Sequence, residues 1–117
     1  MEQIYVTYMR SDLVLLASPL IMGFPSVLLK RFHDRLIPLI HPYMELFNGE
    51  ARHKARYSRY PNMGLLLAKE TDTDEDDINI VTSIYQRIAI NFHSPFVYST
   101  VIDDKTPEVV AHEISHY

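Results

Sequence analysis

The chain of 117 residues contains no cysteine, which removes disulfides, thiol nucleophiles, thiolate zinc sites and iron–sulfur clusters at once. Positive charge is scarce: eleven Lys and Arg against fifteen Asp and Glu leave a net charge of −4. No sequence-wide basic field exists to neutralise a phosphate backbone, so a nucleic-acid partner is not expected. Glycine occurs only three times, and neither the G-x-G-x-x-G dinucleotide fingerprint nor the G-x-S-x-G nucleophile elbow is present. A long apolar run is also missing. The best candidate, Leu13–Leu29, falls short of the roughly 20 residues a membrane helix needs and is broken by Pro19, Gly23 and Pro25. The opening Met-Glu-Gln-Ile-Tyr has no basic segment ahead of an apolar one, so no secretory signal is expected, and a cytoplasmic location fits the missing cysteines.

What is present describes a globular domain. A hydrophobic fraction of 47% with 22% charged residues lies far from the composition of disordered chains, and the length suits one domain covering residues 1–117. Three short apolar runs read as strands: Asp12–Pro19, Asn62–Ala68 and Phe96–Ile102. The first two are continuously apolar, as strands covered on both faces require, which predicts a parallel sheet with helices on both sides. Helical spacing fills the gaps. Ile4, Tyr5, Tyr8 and Met9 fit the last turns of a first helix. Ser26 caps a second whose stripe is Leu28, Leu29, Phe32, Leu36 and Leu39, with Lys30 and Asp34 able to pair one turn apart. The acidic run from Asp72 to Asp77 opens a third, with the stripe Val81, Ile84, Tyr85, Ile88 and Phe92. Thr106-Pro107 starts a fourth, using Val109, Val110 and Ile114. Residues 41–61 read as a long irregular loop, a class that is often functional or mobile. The expected fold class is therefore α/β, a three-layer, doubly wound parallel sheet of about three strands.

Ligands of open parallel sheets sit at the carboxyl ends of the strands, which directs attention to Ser18–Pro25. Two prolines stiffen this loop, and Gly23 lets backbone approach a flat ligand without a Cβ in the way. Backbone N–H groups from Leu20 to Gly23 are candidates for the polar edge of a planar ring, with Ile21, Met22 and Phe24 covering its faces. The plain alternative is a tight connection whose apolar residues pack on a neighbour. A second candidate is the basic stretch Arg52, Lys54, Arg56 and Arg59 with interleaved tyrosines, suited to a dinucleotide phosphate or simply to water. His112-Glu113-Ile114-Ser115-His116 has the letters of a zinc-binding H-E-x-x-H helix. It stands where no third ligand follows, so two surface histidines are the expectation and no metal is assigned.

The run SDLVLLASPLIMGFPSVLLKRFHDR, Ser11–Arg35, resembles a stretch of flavodoxin-like NAD(P)H-dependent FMN reductases and multimeric flavodoxins. Asp12, Ser18, Pro19, Gly23, Ser26, Leu29, Lys30, Phe32, Asp34 and Arg35 fall in register with that pattern. The resemblance implies a partial flavodoxin-like domain comprising the family's strands 3, 4 and 5. It also implies that Ser18, Pro19, Leu20, Ile21, Met22, Gly23 and Phe24 border the isoalloxazine of FMN, with NAD(P)H as co-substrate of a quinone-reductase-like enzyme. The flavin itself would carry the hydride, so no catalytic side chain is assigned. Three positions depart from the family: Ile21 stands where an aromatic is usual, Lys69–Asp77 is acidic and lacks glycine, and no Ser/Thr/Gly-rich phosphate loop precedes the first strand. The resemblance further implies that Asp12–Pro19 is an open edge, covered by a second copy or by another chain that completes the flavin site. The alternative is a flavin-free, non-catalytic subunit acting through protein–protein contact.

Overall fold

The computed structural model describes residues 2–21 and 23–117. Helix α1 (Glu2–Arg10) leads into strand β1 (Leu13–Pro19), followed by α2 (Val27–Asp34) and a 3-10 turn at Ile37–Leu39. Strands β2 (Ile40–Phe47) and β3 (Glu50–Ala55) come next, then β4 (Asn62–Ala68), α3 (Glu75–Asn91), β5 (Phe96–Val101) and α4 (Pro107–Ile114). The three predicted strands form one parallel sheet in the order β1-β4-β5, and β4 takes the predicted bounds.

Helix starts follow their caps. The Ser26 hydroxyl accepts from the Leu29 N–H at 3.2 Å, and Thr106 does the same for Val109 at 3.3 Å ahead of Pro107. Asp74 and Asp77 form a reciprocal capping box at the head of α3, which also places carboxylates at the positive end of the helix macrodipole.

Strand order decides where the helices go. The chain steps from β1 to β4 to β5 in one direction, so right-handed crossovers place α2 and α3 on the same face. That face holds the main core: Leu16 from β1, Met63, Leu65 and Leu67 from β4, Leu29 from α2, and Val81, Tyr85 and Ala89 from α3. A second cluster joins Tyr8 of α1 to Leu36, Leu39, Ile40, Tyr60 and Phe92. Among the described residues the opposite face carries only α4, anchored by the Tyr98 hydroxyl donating to Glu113 at 3.0 Å. Leu13, Leu15 and Leu66 are only half-buried there and Ala17 is exposed. The expectation of helices on both sides is therefore met unequally. Gly64 belongs to this thin face because a Cβ there would lie 2.7 Å from Leu15 Cδ2, so Leu15 folds over the glycine.

Three expectations need correction. Residues 41–61 are not an irregular loop, since β2 and β3 form an antiparallel hairpin around Asn48-Gly49, both at positive φ (51° and 80°). Two consecutive left-handed residues are what a two-residue type I′ turn demands, and Asn-Gly supplies them at least cost. The hairpin rests on α3 through Arg87 to Glu50 at 3.2 Å and the His53 N–H to Asn91 at 3.2 Å. The stripe of α2 is also narrower than expected: the helix ends at Asp34, and Leu28 is 78% exposed. Val27, Leu28 and Leu29 are consecutive, so an eight-residue helix can turn only one of them fully inward. In α3 and α4, Ile84 and Val109 likewise face outward, and Ala89 takes the inner position after Tyr85.

Tyr85 is wholly buried and its hydroxyl has no hydrogen-bond partner among the described residues. The ring of His33 meets it edge-on at 5.8 Å. Burial pushes the Tyr85 pKa up to about 12 from 10.0, with Asp34 adding to the shift. A buried unpaired hydroxyl costs roughly 1–3 kcal/mol, so Tyr85→Phe should stabilise the fold by about 1 kcal/mol, a melting shift of about 4 °C for a domain of this size. The phenol also predicts an alkaline effect. The unfolded chain loses this proton near pH 10 and the folded chain only near 12, so wild-type stability falls across that window. Denaturant melts at pH 9 and 11 check both points, and a destabilised Tyr85→Phe would show that the hydroxyl has a partner after all.

Candidate functional site

The carboxyl end of the sheet is built by Ser18–Pro25, by the turn after β4 and by the turn after β5. Ser18 is buried and closes the base of its loop, accepting from the Ser26 N–H at 2.8 Å and donating to the Pro19 carbonyl at 2.8 Å. Leu20 is also fully buried, its N–H spent on the Ala68 carbonyl at 2.9 Å. Ile21 and Phe24 exchange backbone bonds of 2.8 and 3.0 Å, pinching the loop into a tight turn. Met22 lies outside the described residues. Gly23 adopts φ +79°, the left-handed region, and a Cβ there would stand 3.0 Å from Asp77 Oδ1. Glycine is thus required twice, by its backbone angle and by a carboxylate pressed against it.

Two of the four N–H groups expected to meet a ring edge, those of Leu20 and Ile21, are already paired. The Leu20 N–H is bound to β4, those of Ile21 and Phe24 are bound within the loop, and the space beside Gly23 is held by Asp77. Neighbouring charge is also of the wrong sign for a phosphate: Glu70, Asp72, Asp74, Glu75 and Asp76 follow β4, Asp103 and Asp104 follow β5, and Lys69 and Lys105 alone oppose them. Lys105 is further committed to Glu113 at 2.6 Å. That bond holds the Glu113 carboxyl below its ordinary range.

The basic candidates lie elsewhere. Arg59 pairs with Asp12 at 2.6 Å, just before β1 begins. The Arg59 cluster thus sits at the amino end of the sheet, about seven strand residues or roughly 20 Å from Gly23. Arg52 is bound to Glu45 at 2.9 Å and stacks over Phe47 at 3.9 Å. Lys54 and Arg56 are exposed and form no ion pair among the described residues. One dinucleotide could not touch Ser18–Pro25 with its ring and Arg59 with its phosphate in a compact pose.

His112 and His116 lie with ring centroids 6.3 Å apart, but Glu113 turns to Lys105 and Tyr98. Among the described residues no three His, Asp or Glu side chains converge to hold a metal ion, and no helix is long and apolar enough to cross a membrane.

Spacing did not reveal that apolar residues at the head of α2 join Ile21 and Phe24 in facing water. Ile21, Phe24, Val27 and Leu28 are all exposed, Phe24 by 66% and Leu28 by 78%, in the loop and first turn of α2 that follow the carboxyl end of β1. The three consecutive apolar residues at the head of α2 were the signal in the sequence. The chain matches no family model, and neither curated proteins nor solved structures show a significant likeness to it.

Proposed function

We propose that this chain is a flavin-free, non-catalytic α/β subunit of flavodoxin-like type, working through protein–protein contact at the open edge of β1 and the apolar patch beside it. The observation that supports the reading is the inward closure of the loop after β1, which pairs the N–H groups of Leu20, Ile21 and Phe24 and sets the Asp77 carboxylate against Gly23. A ring edge needs free, convergent donors and a phosphate needs positive potential; the N–H groups of Leu20, Ile21 and Phe24 are already paired and the side chains around them are mostly acidic. The exposed apolar side chains of Ile21, Phe24, Val27 and Leu28, close together in sequence, supply apolar surface of the kind used at interaction sites.

The competing reading is an FMN-dependent NAD(P)H oxidoreductase whose site is completed by other residues, and one experiment separates the two. Purified protein is expected to be colourless near about 450 nm and to leave the fluorescence of added FMN unchanged through a titration. Saturable FMN binding that is lost in Gly23→Val would overturn the non-catalytic reading. In that case NADPH affinity in the double variant Arg56→Ala, Arg59→Ala becomes the measure of the basic stretch.

A further inference from the structure

Among the described residues strand β1 pairs with β4 on one side only, and the pairing fixes which backbone groups face out. In a parallel ladder the N–H and C=O of one residue point the same way, and neighbouring residues alternate. The Asp12 carbonyl accepts from Asn62 and the Leu20 N–H donates to Ala68, so Asp12, Val14, Leu16, Ser18 and Leu20 face β4. Leu13, Leu15 and Ala17 therefore present their N–H and C=O groups outward. Pro19 ends the row, having no N–H.

Resting on the non-catalytic reading above, we infer that the occupant of this edge is a second copy of the chain, paired antiparallel through β1 about a two-fold axis at Leu15. Three observations favour a copy over another protein. The first is register. A two-fold at Leu15 sets Leu15 opposite itself and Leu13 opposite Ala17, and each such pair exchanges both backbone bonds. The free row is thus self-complementary, and Pro19 excludes registers slid towards the carboxyl end of the strand.

The second observation is charge. The carboxyl end of the sheet carries the acidic turns with Asp72, Asp74, Asp76, Asp77, Asp103 and Asp104, whereas Arg10 and Arg59 border one cleft at the amino end, Arg59 paired there with Asp12. Antiparallel pairing brings the acidic pole of each copy beside the basic pole of the other, within about one Debye length. A parallel partner of the same kind would stack like on like.

The third is shape. Between α1, β1 and α2 runs a cleft of about 430 Å³ bordered by Ile4, Thr7, Tyr8, Leu13, Val14 and Phe32. It opens at the amino half of β1, where the two-fold delivers the other copy's loop with its exposed Phe24 and Leu28. Apolar knobs and an apolar cleft on one surface, exchanged by a two-fold, make an isologous interface.

The test is light scattering on the full chain at about 100 μM, a concentration at which mass action favours even weak association. The expected mass is twice the 13.7 kDa of one chain, falling towards the monomer as salt is raised. Ala17→Pro removes one outward N–H at an exposed position and no internal bond; Leu28→Glu places a charge on the patch. Each is expected to give a monomer with an unchanged circular dichroism spectrum. Amide exchange at Leu13, Leu15 and Ala17 should slow as concentration rises. A wild-type monomer, or a dimer that both variants leave intact, overturns the inference. A monomer that ignores FMN overturns only the self-pairing, whereas a chain that binds FMN overturns the reading on which it rests.

Discussion

Leu65→Ala is expected to destabilise the fold by about 4 kcal/mol, the upper part of the range for deleting three buried carbons from a packed core. Leu65 is fully buried on the central strand, with Leu16 of β1 on one flank, β5 on the other and Val81 and Tyr85 of α3 above. No neighbour can move in to fill the space, because the strands on either side are fixed by their ladders and α3 is fixed by its capping box. Small domains are stable by about 5–15 kcal/mol in total, so the variant should unfold at a much lower denaturant concentration or fail to accumulate. Urea titration followed by circular dichroism measures the change. The comparison residue is Leu66, one position along and pointing to the thin face with α4. Leu66 is only half-buried, and Leu66→Ala should cost less than half as much. Equal costs would show that the second face is as well covered as the first.

The contrast between the two faces also explains how far the sequence could be read. The run Asn62–Ala68 is continuously apolar because a central parallel strand needs apolar residues on both sides, and that alone defined β4. The caps at Ser26 and Thr106 announced their helices because each supplies an oxygen to free N–H groups, a local device that needs no tertiary knowledge, whereas α3 was signalled by its acidic run and not by its cap Asp74. Edge position was not in the pattern of β1 itself: Leu13–Pro19 reads as apolar as β4, yet its outer half is open. Nor did spacing reveal that Leu28 faces water, since Leu28 and Leu29 both fit one stripe and only packing against β1 chooses between them. The hairpin β2–β3 was hidden for a different reason. Its turn signal, Asn48-Gly49, was plain, but its second strand, Glu50–Ala55, has four charged or polar residues and little β-propensity. Contacts to α3 hold that strand in place.

At the candidate site the legible part was the position of Gly23 and the illegible part was what stands against it. A left-handed glycine at the carboxyl end of a strand invites a ligand-based explanation. Here the carboxylate of Asp77, fifty-four residues along the chain, fills the approach. Such a contact depends on the angle at which α3 meets the loop, and nothing in the spacing of either segment encodes it.

Tyr60→Phe is expected to cost about 2–3 kcal/mol, the opposite sign from Tyr85→Phe although the same oxygen is removed. The Tyr60 hydroxyl is buried among three backbone groups. It donates to the Leu39 carbonyl at 2.6 Å and accepts from the N–H groups of Arg56 at 3.0 Å and Tyr57 at 3.4 Å. Its ring stacks on His93 at 5.7 Å, whose imidazole reaches the His53 carbonyl at 2.6 Å. One phenol therefore joins the end of β3, the 3-10 turn and the C-terminal end of α3. Deleting its oxygen strands the Leu39 carbonyl in a buried pocket, which is the expensive case, whereas the exposed Arg56 amide can turn to water. Two readouts follow. Thermal melting should fall by about 10 °C, on a scale of about 4 °C per kcal/mol, and amide exchange at Arg56 and Tyr57 should speed up more than exchange within β4. Local loosening there would also free Arg59 from Asp12, at the end of the sheet where the proposed dimer sets basic against acidic. A Tyr60→Phe variant that melts with the wild type would show that water replaces the hydroxyl at Leu39 and that the linkage between hairpin and sheet lies elsewhere.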